Sequence, residues 1–397
     1  MDPVRNPFAP GAGTPPPELA GRTELLGQAR TALARVAQGK SAKSLMLIGL
    51  RGVGKTVLLN RIQQIAEEMG YKARMLEAHE DKKLPELLLP VLRSILLALN
   101  ASKNVNEKVK RSLRVLKSFA SSIKLKHGDF EIGLGLDPEK GTADSGDLET
   151  DLPELLLAVA EAAASRKTSV ALLIDELQYL SETELSALIM GIHKIGQRQL
   201  PLVLMGAGLP QLVGNTGRSK SYAERLFDFP VLGPLSADDA RSAITEPITR
   251  EGERIAKGAV NGIIAATKGY PYFLQEWAYS CWNEAEKSPI SLADLDAATP
   301  KILNKLDESF FRVRFDRLTP NEKRYLRAMA ELGPGPHRSG AIADLLGLKV
   351  QGVAPVRSSL IRKGMIYSQQ HGETDFTVPL FDAFLKRRLP KFDAEMS

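Results

Sequence analysis

The 397-residue sequence predicts an α/β fold, a parallel sheet flanked by helices and followed by an α-helical lid and a winged-helix domain. Three observations predict it. Ser44–Leu50 (SLMLIGL) is a short apolar run that leads through glycines into a helical pattern. Ser169–Ile174 (SVALLI) is a second such run, ending on two acids, and three helix patterns with an alternating hairpin close the chain. A composition of 43% hydrophobic and 25% charged residues is that of an ordinary soluble protein of two or three domains. No apolar run approaches the ~20 residues of a membrane span, so no membrane partner is expected. The N-terminus lacks the pattern of a secretory signal, which makes the cytoplasm the expected compartment. The lone Cys281 excludes an internal disulfide and leaves a packing role.

Residues 1–18, rich in Pro and Gly, read as a flexible N-terminal arm. The core is expected at 19–235. Within it, GLRGVGKT follows the first apolar run and precedes VLLNRIQQIAEEMG, the order strand, glycine loop, helix that gives the motif GxxxxGK[ST] its meaning. Gly49, Gly52 and Gly54 let the backbone turn tightly and bring its amides to a phosphate at a helix N-terminus. Leu50, Arg51 and Val53 complete the loop, and Val57 follows it. Lys55 is placed to reach the β and γ phosphates and the Thr56 hydroxyl to ligate Mg²⁺. This is the pattern of a P-loop, and by itself it predicts binding of a nucleoside triphosphate through its phosphates.

The second apolar run ends in Asp175 and Glu176, where a buried strand holds two carboxylates rigidly at its C-terminal edge. Asp175 is expected to hold Mg²⁺ through water and Glu176 to orient or polarise the attacking water, which favours hydrolysis over binding alone. The next strand, Leu202–Met205, ends in Gly206-Ala207-Gly208 with no polar residue at its tip. Gln211 and Asn215 are the nearby alternatives, and ordinary turn or cap roles suit both.

Between these strands, 102–150 reads as an insertion: a basic amphipathic stretch, Lys103–Lys126, then an acidic, glycine-rich one with a short alternating hairpin. It suits contact with DNA or a neighbouring subunit, or simply a solvated helix. Ser236 followed by acids starts a helical lid at 236–310. In 311–397, Thr319-Pro320 opens the first of three helices, and MIYSQQHGETDFTV supplies a wing. From Phe311 to Ser397 there are 15 Lys and Arg against 9 Asp and Glu, and the rest of the chain balances at 38 of each. Lys349, Gln351, Arg357, Arg362 and Lys363 lie on or beside the third helix, with His371 near the wing tip. That placement suits DNA, with Gln351 or Arg357 at base edges and lysines on phosphates. Winged helices also dock proteins, and a basic solvated face is the plainer alternative.

The P-loop, LLIDE, LMGAGLP, YAERLFDFPVLGPLS and TKGYPYFLQ together resemble the AAA+ and STAND classes of P-loop ATPase. More narrowly they are similar to bacterial ATP-binding proteins related to the origin-recognition initiator ATPases, over about Pro17–Leu389. The resemblance implies ATP rather than GTP, an ATPase core, a lid and a winged helix. It implies that Leu19 and Arg22 lie near the adenine, and that Pro271 and Tyr270 pack the lid near the nucleotide. It places Arg225 as an arginine finger offered to a neighbouring subunit, with a salt bridge to Glu224 or Asp228 as the alternative. The lid carries Gly269-Tyr270-Pro271 and no arginine over Phe273–Trp277, a departure from the initiator pattern. The functions implied are a slow, assembly-dependent ATPase switch coupled to DNA, a STAND-type signalling or defence scaffold whose winged helix docks protein, or an accessory ATPase that loads a partner onto DNA. A nucleotide-dependent homo-oligomer or a protein partner belongs to each.

Overall fold

Two short apolar strands that bracket a third explain how motifs so distant in sequence meet. The computed structural model describes residues 1–11, 13–100, 106–123, 137–368 and 372–392. In chain order the core is built from α1 (Thr23–Ala37), β1 (Ser44–Gly49), α2 (Lys55–Glu68), β2 (Lys72–Glu77), α3 (Leu84–Asn100), α4 (Glu107–Ser122), α5 (Leu148–Ser165) and β3 (Val170–Asp175). Then come α6 (Glu182–Gln197), β4 (Leu202–Gly208), α7 (Gln211–Ser219), α8 (Ala223–Leu226), β5 (Phe227–Asp228) and β6 (Val231–Leu232). The strands pair in the order β2-β3-β4-β1-β5, with β6 also on β1, and each pairing is parallel. Gly206 of β4 faces Met46 of β1 on one side and Ile174 of β3 on the other, so the ends of β1 and β3 lie together at one edge of the sheet. That edge, outside the carboxyl ends of the strands, is where open parallel sheets hold ligands.

β1, β3 and β4 are buried along their whole length, which is why they read as unbroken apolar runs rather than as alternation. One face is covered by α1 and α2, through Leu33, Leu59 and Ile62. The other is covered by α3 to α6, through Leu88, Phe119, Leu156 and Ile189. The basic helix expected in the insertion is α4, which Asn106 caps by accepting from Val109 N at 3.2 Å. Its apolar stripe, Val109, Leu113, Leu116 and Phe119, belongs to the core. Two of its cations are not a free basic face: Arg111 and Arg114 meet Glu139 at 3.1 and 2.8 Å. The hairpin expected after it falls at positions outside the described residues.

A second core holds the remaining helices. α9 (Ala237–Arg250) starts at Ser236, whose hydroxyl accepts from Asp239 N, and α10 (Lys257–Thr267), α11 (Pro271–Glu284) and α12 (Leu292–Leu306) follow. α12 runs through a π-helical turn, Asp307–Phe311, into α13 (Arg312–Asp316). The boundary expected between 310 and 311 therefore lies inside one helical run. Beyond it stand α14 (Pro320–Glu331), β7 (His337–Arg338), α15 (Ser339–Leu345), α16 (Val350–Arg362), β8 (Ile366–Tyr367), β9 (Glu373–Phe376) and α17 (Phe381–Arg388). Thr319 caps α14 in a reciprocal box with Glu322. The strands form an antiparallel sheet in the order β7-β9-β8. Trp277, Trp282, Phe311, Tyr325, Phe381 and Phe384 are buried in one continuous cluster, so the helical unit and the C-terminal unit share their core. Cys281 packs within it, and burial pushes its thiol up to about 12. Among the described residues no helix is long and apolar enough to cross a membrane.

The N-terminal segment corrects the expectation of a flexible arm. Phe8 is buried in the helical unit, Asn6 Nδ2 donates to Tyr279 O at 3.0 Å, and Trp282 Nε1 donates to Asp2 O at 2.8 Å. The reason is local: a buried indole N–H needs an acceptor, and a backbone carbonyl of the segment supplies it. Removing the ring with Phe8→Ala should cost about 3 kcal/mol, the lower end for a buried phenylalanine. The check is urea unfolding, in which the midpoint should fall.

Candidate nucleotide site

The loop from Gly49 to Gly54 is shaped by its glycines. Gly52 and Gly54 take φ of 81° and 92°, in the left-handed region that favours glycine, and a Cβ on Gly49 would lie 2.5 Å from Leu232 O. α2 begins at Lys55, so the loop delivers the chain to a helix N-terminus whose free amides face the opening. Lys55 is buried, and its ammonium donates to Gly49 O and Leu50 O at 3.0 and 2.9 Å. Burial lowers its pKa to about 8 against the opposing pull of Glu176 and Asp175, so the amine is a desolvated cation held at the loop.

Thr56 Oγ1 donates to Asp175 Oδ2 at 2.5 Å, which brings the two expected magnesium ligands into contact. Burial, with Glu176 adding to it, raises the Asp175 pKa, a strain that a divalent cation would relieve. A hydroxyl and a carboxylate are the hard oxygen donors Mg²⁺ takes, and its remaining positions are ordinarily water and phosphate. The residues present therefore fit a magnesium–nucleotide pair.

Glu176 follows the end of β3 with φ of 54°, an uncommon conformation for a residue with a side chain. Its carboxylate lies 3.6 Å from Arg51 and accepts from Gln178 Nε2. Gln178 Oε1 in turn accepts from Leu209 N at 3.0 Å, just beyond β4. The polar group that spans Glu176 and the β4 tip is thus Gln178. Neither Gln211 nor Asn215 lines the cavity, and Asn215 accepts from Arg218 at 2.6 Å. Arg51 also donates to the Tyr179 hydroxyl at 2.9 Å; burial acts against its charge, but Glu176 and Tyr179 outweigh that and raise its pKa.

These groups open on a cavity of about 390 Å³, of the size that holds small ligands. The loop residues from Arg51 to Val57, Leu19, Arg22 and Pro271 line it, as expected; Gly49 and Leu50 contribute carbonyls to Lys55 behind it. Arg22 donates to Gly233 O at 2.8 Å, and burial lowers its pKa. Tyr272 lines the cavity where Tyr270 was expected, with Tyr272 N donating to Gly52 O at 3.1 Å. Sequence reasoning missed Gln178 beside Glu176, and on the cavity wall Tyr272, Phe310 and Arg314 together with Ala9, Pro10, Gly13 and Thr14 of the N-terminal segment.

Residues 18–205 match the family described as AAA ATPase domain. Over those residues the chain is similar to an AAA ATPase domain. A second match, over residues 308–385, is to a family described as a domain of unknown function. Among solved structures the chain is similar to the Walker-type ATPase PABY2304 of Pyrococcus abyssi. The two are 16% identical with a TM-score of 0.60, over 94% of this chain and 98% of that one, which shows a common fold across nearly the whole chain. The ORC1 protein of Aeropyrum pernix, solved in complex with DNA, is 16% identical with a TM-score of 0.48 over 96% of each chain. A search of curated proteins gave no match.

Outside the cavity, Arg225 is exposed on α8, beyond the residues of the family match, and makes no ion pair among the described residues. The alternative partner Asp228 lies 3.0 Å from Lys43 instead. Of the five residues singled out near α16, Lys349, Gln351 and Arg362 are exposed. Arg357 donates to Ser368 Oγ at 2.9 Å, and Lys363 lies 2.8 Å from Glu322, so both are held by the chain itself. His371 lies outside the described residues.

Proposed function

We propose that the chain is an ATP-hydrolysing switch in which the nucleotide state of the P-loop is coupled to the C-terminal unit, a winged helix that binds DNA. One observation carries the coupling: Arg51 N of the P-loop donates to Thr377 O of the C-terminal unit at 3.0 Å, so a rearranged loop cannot leave that unit undisturbed. Lys55 is placed to leave its loop carbonyls for the β and γ phosphates. Mg²⁺, held by Thr56 and through water by Asp175, would neutralise phosphate charge. Glu176 takes a proton from a water whose oxygen bonds to the γ phosphorus while the bond to the β–γ bridging oxygen breaks, giving ADP and phosphate. Its contacts with Arg51 and Gln178 must loosen for that step, which suits slow turnover.

Arg225 is the group expected to complete the site across a subunit interface. Arg225→Ala should lower turnover at least 10³-fold, the scale on which a trans arginine acts, with ATP binding nearly intact. Mixing it with Glu176→Gln should restore part of the activity, measured as phosphate release. Failure of the mixture to recover would place the arginine in cis or outside the reaction.

DNA is supported by the basic excess of the last 87 residues and by Lys349, Gln351 and Arg362 at the exposed side of α16. The test is DNA titration at several salt concentrations with and without ATP. Binding should fall steeply with salt, by a log–log slope of roughly 0.9 per phosphate contact, and ATP should shift it. The docking alternative has its own observation: Leu348 and Val350 at the same helix end are 45% and 47% exposed, a mixed surface that suits a protein. Nucleotide-dependent oligomers with no DNA affinity would favour that reading.

A further inference from the structure

We propose that Arg314, on the helix that opens the C-terminal unit, binds the phosphate chain of the nucleotide and so clamps that unit to the P-loop when a triphosphate is present. The inference rests on the nucleotide reading above. Arg314 lines the same cavity as Arg51 and Lys55 and is itself half-buried. Its guanidinium lies over the Phe310 ring at 4.1 Å and donates to Phe310 O. Phe310 stacks on Tyr272 with centroids 4.8 Å apart, and Tyr272 N reaches Gly52 O. A ladder of three side chains therefore fixes the arginine relative to the loop. The π-helical turn at Asp307–Phe311 shifts the helix register at this point, a device found at functional sites.

Charge says what is missing. Glu176 answers Arg51, Glu176 and Asp175 face Lys55, and Asp239 acts on Arg22. Glu18, the other acid on the cavity wall, lies 2.5 Å from Arg250. Arg314 has no ion pair among the described residues; burial first, then the repulsion of Arg51, lower its pKa to about 10 against the smaller opposing pulls of Tyr272, Tyr179 and Glu176. A desolvated guanidinium facing other cations across a cavity is a site for a polyanion, and Arg is the side chain best shaped for phosphate. Phe311 and Phe315, its neighbours on the same run, are buried in the core shared with α17. Phosphate held by Arg314 thus holds the C-terminal unit.

The experiment compares ATP and AMP, each with Mg²⁺, on the full-length chain and on Arg314→Gln and Arg314→Lys. ATP affinity should fall roughly 10- to 100-fold in Arg314→Gln, the worth of one charge-assisted hydrogen bond or more, while AMP affinity stays unchanged. Arg314→Lys should recover part of the loss. The melting midpoint without nucleotide should not fall, because a repelled cation has been removed. ATP, but not AMP, should slow hydrogen exchange over 312–316 in the wild type and in neither way in Arg314→Gln. Parallel loss of ATP and AMP binding, a lowered midpoint in both variants, or undiminished ATP affinity would overturn the proposal. A wild-type chain that binds no ATP would instead bring down the nucleotide reading and this inference with it.

Discussion

Lys55→Ala is expected to weaken ATP binding by ~100-fold or more, the largest effect on affinity that any single substitution in the chain should have. Lys55 is 6% exposed, and two backbone carbonyls of its own loop, Gly49 O and Leu50 O, hold its ammonium. Burial drags its pKa down to about 8, so the protein bears the cost of a desolvated cation before any nucleotide arrives. Phosphate oxygens at the mouth of the loop repay that cost with charge-assisted hydrogen bonds, each of about 1.5–3 kcal/mol. Alanine removes both charge and donors while leaving the glycine backbone to turn as before. Thermal stabilisation reads the change directly. At 100 times the wild-type Kd, ATP should stabilise the wild type by about 2.7 kcal/mol and the variant by only about 0.4 kcal/mol. An undiminished thermal shift would mean that the nucleotide sits elsewhere.

Why that site could be read from sequence, and its other walls could not, is a matter of distance along the chain. The P-loop is eight consecutive residues between a strand and a helix, and β3 announces Asp175 by six buried positions in a row. Each is a local pattern with a local cause: a strand covered on both faces must be apolar throughout, and a tight turn needs glycine. Thr56 and Asp175 lie far apart in sequence, yet their meeting followed from the strand order of parallel sheets. Arg314 carried no such signal. It enters the cavity only because α12 continues through a π turn and because Phe310 finds Tyr272, a pairing set by tertiary packing. Residues 1–18 misled for the complementary reason. Proline and glycine suggested an unanchored arm, whereas one phenylalanine and one indole acceptor tie it to the helical unit. On α16 composition placed five candidates together, but a helix has an inner side, and Arg357 and Lys363 face their own chain.

Glu176→Gln is the substitution expected to separate binding from chemistry. The amide keeps the shape of the carboxylate and can still hydrogen-bond Gln178, but it cannot take a proton from water. Turnover should fall 10²- to 10⁴-fold, the contribution of a placed general base, while ATP affinity stays within about threefold, since Lys55 and the loop amides are untouched. The backbone at this residue supports the assignment. A φ of 54° costs ~1–3 kcal/mol for a residue with a side chain and persists only where its surroundings dictate it. Here it turns the carboxylate off the end of β3 towards Arg51 and the P-loop rather than along the strand. Phosphate release and nucleotide titration on the same preparation give both quantities. Turnover within tenfold of wild type would remove Glu176 as the base. Turnover and affinity falling together would point to the Arg51 contact, because a guanidinium deprived of its carboxylate partner would shift the loop that binds the phosphates.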